Sequence, residues 1–130
     1  MPRHIPDAAY DAYFDYFEAC TRLHLVSGAE TPTDLTDSLA VATIDGTDFT
    51  VGAGDPDGRR MTVAAQNGVA VTGVGTTTHA VLAHLDDVGP PEVWGIRLVT
   101  TCSERAVDNT AGDQVNMGEF YLQVAAPVAP

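Results

Sequence analysis

The side chains best equipped for chemistry in this chain are its histidines, its cysteines and a few paired carboxylates, and their spacing argues against a shared site. His4, His24, His79 and His84 are dispersed. His79 and His84 differ by an odd number of positions along one expected strand, so alternation sends them to opposite faces and they cannot hold one metal within it. Cys20 and Cys102 lie far apart with no CxxC spacing, which predicts two free buried thiols, neither a zinc site nor a disulfide framework. Asp55-Pro56-Asp57-Gly58 has two carboxylates before a glycine, as at the start of a calcium loop. It lacks the later acceptors and the closing glutamate, and Arg59-Arg60 brings positive charge beside it, so it reads as a turn. Asp86-Asp87 reads as a pair of solvated turn residues, because adjacent residues in a turn point apart. No serine sits in GxSxG, and neither a Walker loop nor a GxGxxG between strand and helix is found. The expectation is a non-enzymatic chain without catalytic residues, cofactor or metal.

Composition narrows the partners. Eighteen acids stand against six bases, all arginine, for a net charge of -12. The absence of lysine, beside so much Ala, Val and Asp, fits the codon bias of a GC-rich genome. Affinity for nucleic acid comes from basic side chains that displace phosphate counterions, and only Arg59-Arg60 forms even a pair, so neither nucleic acid nor an anionic membrane is expected as a ligand. No apolar run approaches the ~18 residues of a membrane helix, and the N-terminus lacks the basic-then-apolar order of a signal peptide, so a cytosolic start is expected. A chain of 130 residues rich in Val, Ala, Thr and Gly predicts one mainly β domain, residues 1–130.

The elements follow from periodicity. Asp7 to Cys20 reads as an amphipathic helix, with Ala9, Tyr10, Tyr13, Phe14, Tyr16, Phe17 and Cys20 on a broad apolar face and Asp7, Asp11, Asp15 and Glu18 on an acidic stripe. About seven strands follow, at Arg22–Ser27, Leu39–Ile44, Arg60–Ala65, Val69–Thr72, Thr77–Leu85, Val93–Thr101 and Glu119–Ala125, with Phe49–Val51 as a further short segment. Pro32-Thr33-Asp34 is expected to start a short helical turn. Gln66-Asn67-Gly68 is expected to close an antiparallel hairpin between its flanking strands, because Asn-Gly tolerates positive φ. Asn109 to Asp113 falls in a polar connection, and residues 126–130 in an extended tail. The fold expected is a β-sandwich or jelly-roll-like domain preceded by one N-terminal amphipathic helix. The helix face is wider than one sheet requires, so Tyr10, Tyr13 and Phe17 are expected to remain as a protein interface while Phe14 fills the core. Trp94, with exposed tyrosines, offers the alternative of a glycan contact in a carbohydrate-binding module.

A family resemblance rests on an ordered set of segments. His4-Ile5-Pro6-Asp7-Ala8-Ala9-Tyr10-Asp11 followed by Arg22-Leu23-His24-Leu25-Val26-Ser27 resembles the Ile-x-Asp-Ala helix and Leu-His-Ile-Cys-Ser-like strand of small virion proteins from tailed phages and gene transfer agents. Gly58-Arg59-Arg60-Met61-Thr62-Val63 and Thr77-Thr78-His79-Ala80-Val81-Leu82 look like that family's Gly-Arg-Lys-Val-Thr-Val and Thr-His-Trp-Ala-Leu segments. The likeness covers most of the first 85 residues; the stretch Asp86–Thr101 with Trp94 lies outside it. It implies a head-spike or fibre-base protein at the capsid vertex holding a receptor-binding fibre, or else a capsid decoration or tail protein. Its partners would be capsid and fibre proteins and further copies of itself, a pentamer at a five-fold vertex. The protein would be assembled in the bacterial cytoplasm and displayed on the virion surface.

Overall fold

The computed structural model describes residues 6–28, 30–54 and 58–124. The chain opens with helix α1 (Asp7–Glu18) and continues through nine strands: β1 (Arg22–Val26), β2 (Ser38–Thr43), β3 (Phe49–Ala53), β4 (Arg59–Val63), β5 (Gln66–Ala70), β6 (Val74–Asp87), β7 (Val93–Asp108), β8 (Gln114–Met117) and β9 (Phe120–Val124). It is a mainly β, sandwich-like fold, as expected from the sequence. A four-stranded antiparallel sheet in the order β2-β1-β6-β7 faces a three-stranded sheet in the order β3-β4-β9, and β5 and β8 form a separate pair.

Alternation decides which side chains meet between the layers. Leu23 lies opposite Ala42 and Leu82, and Leu25 opposite Ala40 and Ala80, so these six share one face of the large sheet. Met61 and Val63 on β4 carry the facing layer beside Phe49, Leu122 and Phe120. Val115 and Met117 of β8 join the same buried cluster. This contiguous apolar interior is the main source of stability.

Helix α1 contributes a narrower stripe than its sequence advertises. Tyr10, Phe14 and Phe17 are buried at spacings of four and three, the stripe a helix lays on one surface. Pro6 serves as N-cap without a side-chain hydrogen bond, its carbonyl accepting from Ala9 N at 3.0 Å. Part of the acidic stripe is tied down: Arg59 Nη2 donates to Asp11 Oδ1 at 3.1 Å, with Asp7 3.9 Å from the same guanidinium.

Four local expectations are corrected. Gln66-Asn67-Gly68 does not turn a hairpin; it lies inside β5, which pairs with β8, while β4 pairs with β3 and β9. Gly68 does take the positive φ of 66°, but spends it at a register irregularity between Gln66 and Val69, where its N–H donates to Asn116 Oδ1 at 2.9 Å. Strand β8 stands in what read as a polar connection. Pro32 to Asp34 forms no helical turn, because Asp34 Oδ1 takes the Thr36 N–H and hydroxyl into a local turn of its own. Strand β7 also runs on to Asp108, well past Thr101. The expected turn at Asp55–Asp57 lies outside the described residues, as do His4 and the 126–130 tail.

Candidate functional site

Among the described residues the histidines and cysteines are held separately. His24, in the middle of β1, is buried with Nδ1 against the Ser38 hydroxyl and Nε2 without a hydrogen-bond partner. Desolvation, helped by the Arg22 charge, lowers its pKa to about 4, so it is a neutral ring at pH 7. His79 sits beside the Thr78 hydroxyl, and His84 Nδ1 lies 2.7 Å from Asp86 Oδ1. Both thiols are free; burial pushes Cys20 up to about 11 and raises the half-buried Cys102, the opposite of nucleophile activation. Among the described residues, no three or more His, Cys, Asp or Glu side chains gather as metal ligands would.

The aromatic surface is where the molecule leaves apolar area in water. Of the three residues expected at an interface, Tyr10 and Phe17 are only 6% exposed and belong to the core, whereas Tyr13 is 51% exposed. Tyr16, at 52%, is the neighbour that sequence reasoning placed on the apolar face but did not single out. The reason is geometric: the helix lies between the layers, so its buried stripe takes the i, i+4, i+7 positions and leaves 13 and 16 on its flanks. Both rings are held from beneath, Tyr13 by Phe14 and Phe17 at centroid distances of 5.6 and 5.4 Å and Tyr16 by Phe17 at 5.3 Å.

No protein-family model, curated protein or solved structure matches this chain. The site is therefore read from its own chemistry.

Arg97 connects the helix surface to the large sheet. Its guanidinium lies 4.2 Å from the Tyr16 ring centroid, and Nη1 donates to the Tyr16 carbonyl at 2.6 Å. Arg97 is the extra residue in an irregularity of the β6–β7 ladder, where Leu82 pairs with Leu98 but Ala83 with Ile96. A bulge of this kind re-aims a side chain. The Asp86 carboxylate lies over Gly95, in space that a Cβ there would oblige it to leave. Beyond Arg97, β7 runs along a groove of about 390 Å³. Its apolar lining includes Leu23, Leu25, Ala80, Val115, Met117 and Phe120, with Thr100 to Ser103 and Arg105 along the β7 side.

Trp94 is half-buried, with the Arg22 guanidinium 3.9 Å from its ring centroid. One ring face is thereby occupied, which leaves a sugar only the opposite face to stack on. Tyr121, 58% exposed, is likewise stacked on a guanidinium, that of Arg60 at 4.2 Å. Among the described residues the surface presents the aromatic rings of Tyr13, Tyr16 and Tyr121 and the unpaired side of β7.

Proposed function

We propose that this chain is a non-enzymatic structural subunit of a phage-like particle, of the head-spike or fibre-base type, seated among capsid and fibre proteins and further copies of itself. The observation that carries the reading is the exposed pair Tyr13–Tyr16, braced by Phe14, Phe17 and Arg97, on the helix that bears the first of the resembling segments. A rigid, partly desolvated aromatic pair is the composition of an interface anchor. The dispersal of the histidines and the raised thiol pKa values favour a binding role over a catalytic one.

Particles purified from the producing bacterium test the reading. They should contain the chain at a fixed ratio to capsid protein, and particles made without its gene should keep intact heads but adsorb poorly to recipient cells. Absence of the chain from purified particles would overturn the proposal, and so would unchanged adsorption.

A further inference from the structure

The two edges of the four-stranded sheet are finished differently. Beyond β2 the chain closes the edge: Ala40 bridges Val71, and Thr72 N donates to Leu39 O at 2.8 Å. Beyond β7 no strand pairs among the described residues. Natural edges of this length are usually blunted by charge or proline. Here the segment Leu98-Val99-Thr100-Thr101-Cys102-Ser103 has neither, and no carboxylate occurs between Glu92 and Glu104 in a chain of net charge -12. The far end of the segment is shaped by Thr77, buried at 2% exposure, whose hydroxyl donates to Ser103 O and accepts from Arg105 N.

We propose that β7 pairs antiparallel with β7 of a second copy about a two-fold axis at Thr100, joining two four-stranded sheets into one. Water can satisfy the backbone groups of an open edge one at a time, but only an extended polypeptide matches the whole row in register, which defines the class of occupant. Charge selects the same chain. A strongly acidic protein approaches its own copy most readily where carboxylates are sparse: the β7 segment from Val93 to Ser103 carries none, and Glu119 is the one carboxylate lining the adjoining groove, where Arg105 lines it too. Register agrees as well. With Thr100 on the axis it meets Thr100 of the other copy, Val99 meets Thr101, Leu98 meets Cys102 and Arg97 meets Ser103, so no like charges stand opposed. An axis at Thr101 would set Arg97 against Arg105, and one at Val99 would set Trp94 against Glu104. The groove gives a further reason. Leu98 faces the interior with Leu82, so by alternation Leu98, Thr100 and Cys102 of each copy lie toward the apolar groove of the other and displace water from it. Tyr16 and Arg97 border the same edge and extend the contact onto the helix.

The inference goes beyond the particle reading and is tested on purified full-length protein alone. Residues opposed on an antiparallel axis have Cα atoms roughly 4.5–5.5 Å apart, within disulfide range. In a Cys102→Ser background, Thr100→Cys should therefore form a covalent dimer on mild oxidation at least tenfold faster than Thr43→Cys, an exposed position on β2. Sedimentation equilibrium should give twice the 13.6 kDa chain mass, and Thr100→Lys should weaken association tenfold or more. Thr101→Lys, at an exposed position, supplies the same readout should Thr100→Lys lower the thermal midpoint. A mass of 13.6 kDa at every concentration up to about 1 mM, equal cross-linking at positions 100 and 43, or a five-fold assembly indifferent to both lysines would each overturn the pairing.

Discussion

The β2 and β7 flanks of one sheet are built from similar residues and end in opposite conditions. At β2, Leu39 and Ala40 are buried and the neighbouring chain supplies bridge partners, so the edge has become interior. At β7, Thr100 to Ser103 border a groove and face no strand among the described residues. The difference separates two uses of apolar surface. Where the chain covers its own edge, a side chain contributes to folding; where it does not, a similar side chain stays at the surface, where the proposed pairing would use it. The helix repeats the contrast within a single turn: Phe14 and Phe17 serve the interior, while Tyr13 and Tyr16 stand in water.

Core positions should give the largest effects. Phe14→Ala empties a fully buried site and should cost about 3–5 kcal/mol in thermal or denaturant unfolding. Association measured under folding conditions should be unchanged. A loss below about 1 kcal/mol would mean that the helix is not seated between the layers.

Next comes the pH dependence set by His24. Its folded pKa of about 4 lies below the 6.5 of an unperturbed ring, so between those values the unfolded chain binds more protons. This contribution is fully present above pH 6.5 and is lost as pH falls toward 4, on the order of 3 kcal/mol in all. Melts from pH 7.5 to 4 should therefore slope less steeply in His24→Gln than in the natural chain. Parallel slopes would place the ring in water.

Smaller effects on folding belong to the exposed aromatics. Tyr13→Ala and Tyr16→Ala should each change stability by less than about 1 kcal/mol, as surface substitutions do, yet weaken self-association or particle attachment. Equal stability losses at positions 13, 14 and 16 would make the helix merely core. Smallest of all, adding an oligosaccharide should leave Trp94 fluorescence unchanged, since Arg22 holds one face of the ring. A saturable shift would favour the carbohydrate-binding alternative.

How much of this was legible in the sequence depends on whether the controlling contact is local. The helix, β1, β2 and the inward alternation of Leu23, Leu25, Met61 and Val63 follow from periodicity, because neighbours in sequence decide which face is apolar. The partner of β5 does not. Asn67-Gly68 signals positive φ equally well for a turn or a bulge, and only the distant Asn116 side chain and the β8 backbone settle which. Strand β8 itself offers just Val115 and Met117 alternating with polar residues, too short a pattern to stand out. At the candidate site, the aromatic face was visible but its division was not, since separating Tyr13 from Phe17 requires knowing that the helix is clasped between layers. The open edge of β7 was invisible, because strand order is a property of pairing.

Hydrogen–deuterium exchange on the two edges, compared at low and high protein concentration, tests the central claim most directly. Peptides covering Leu98–Ser103 should gain protection as concentration rises, while those covering Ser38–Thr43 should be equally protected throughout. Concentration-independent exchange along β7, with both edges behaving alike, would contradict the account.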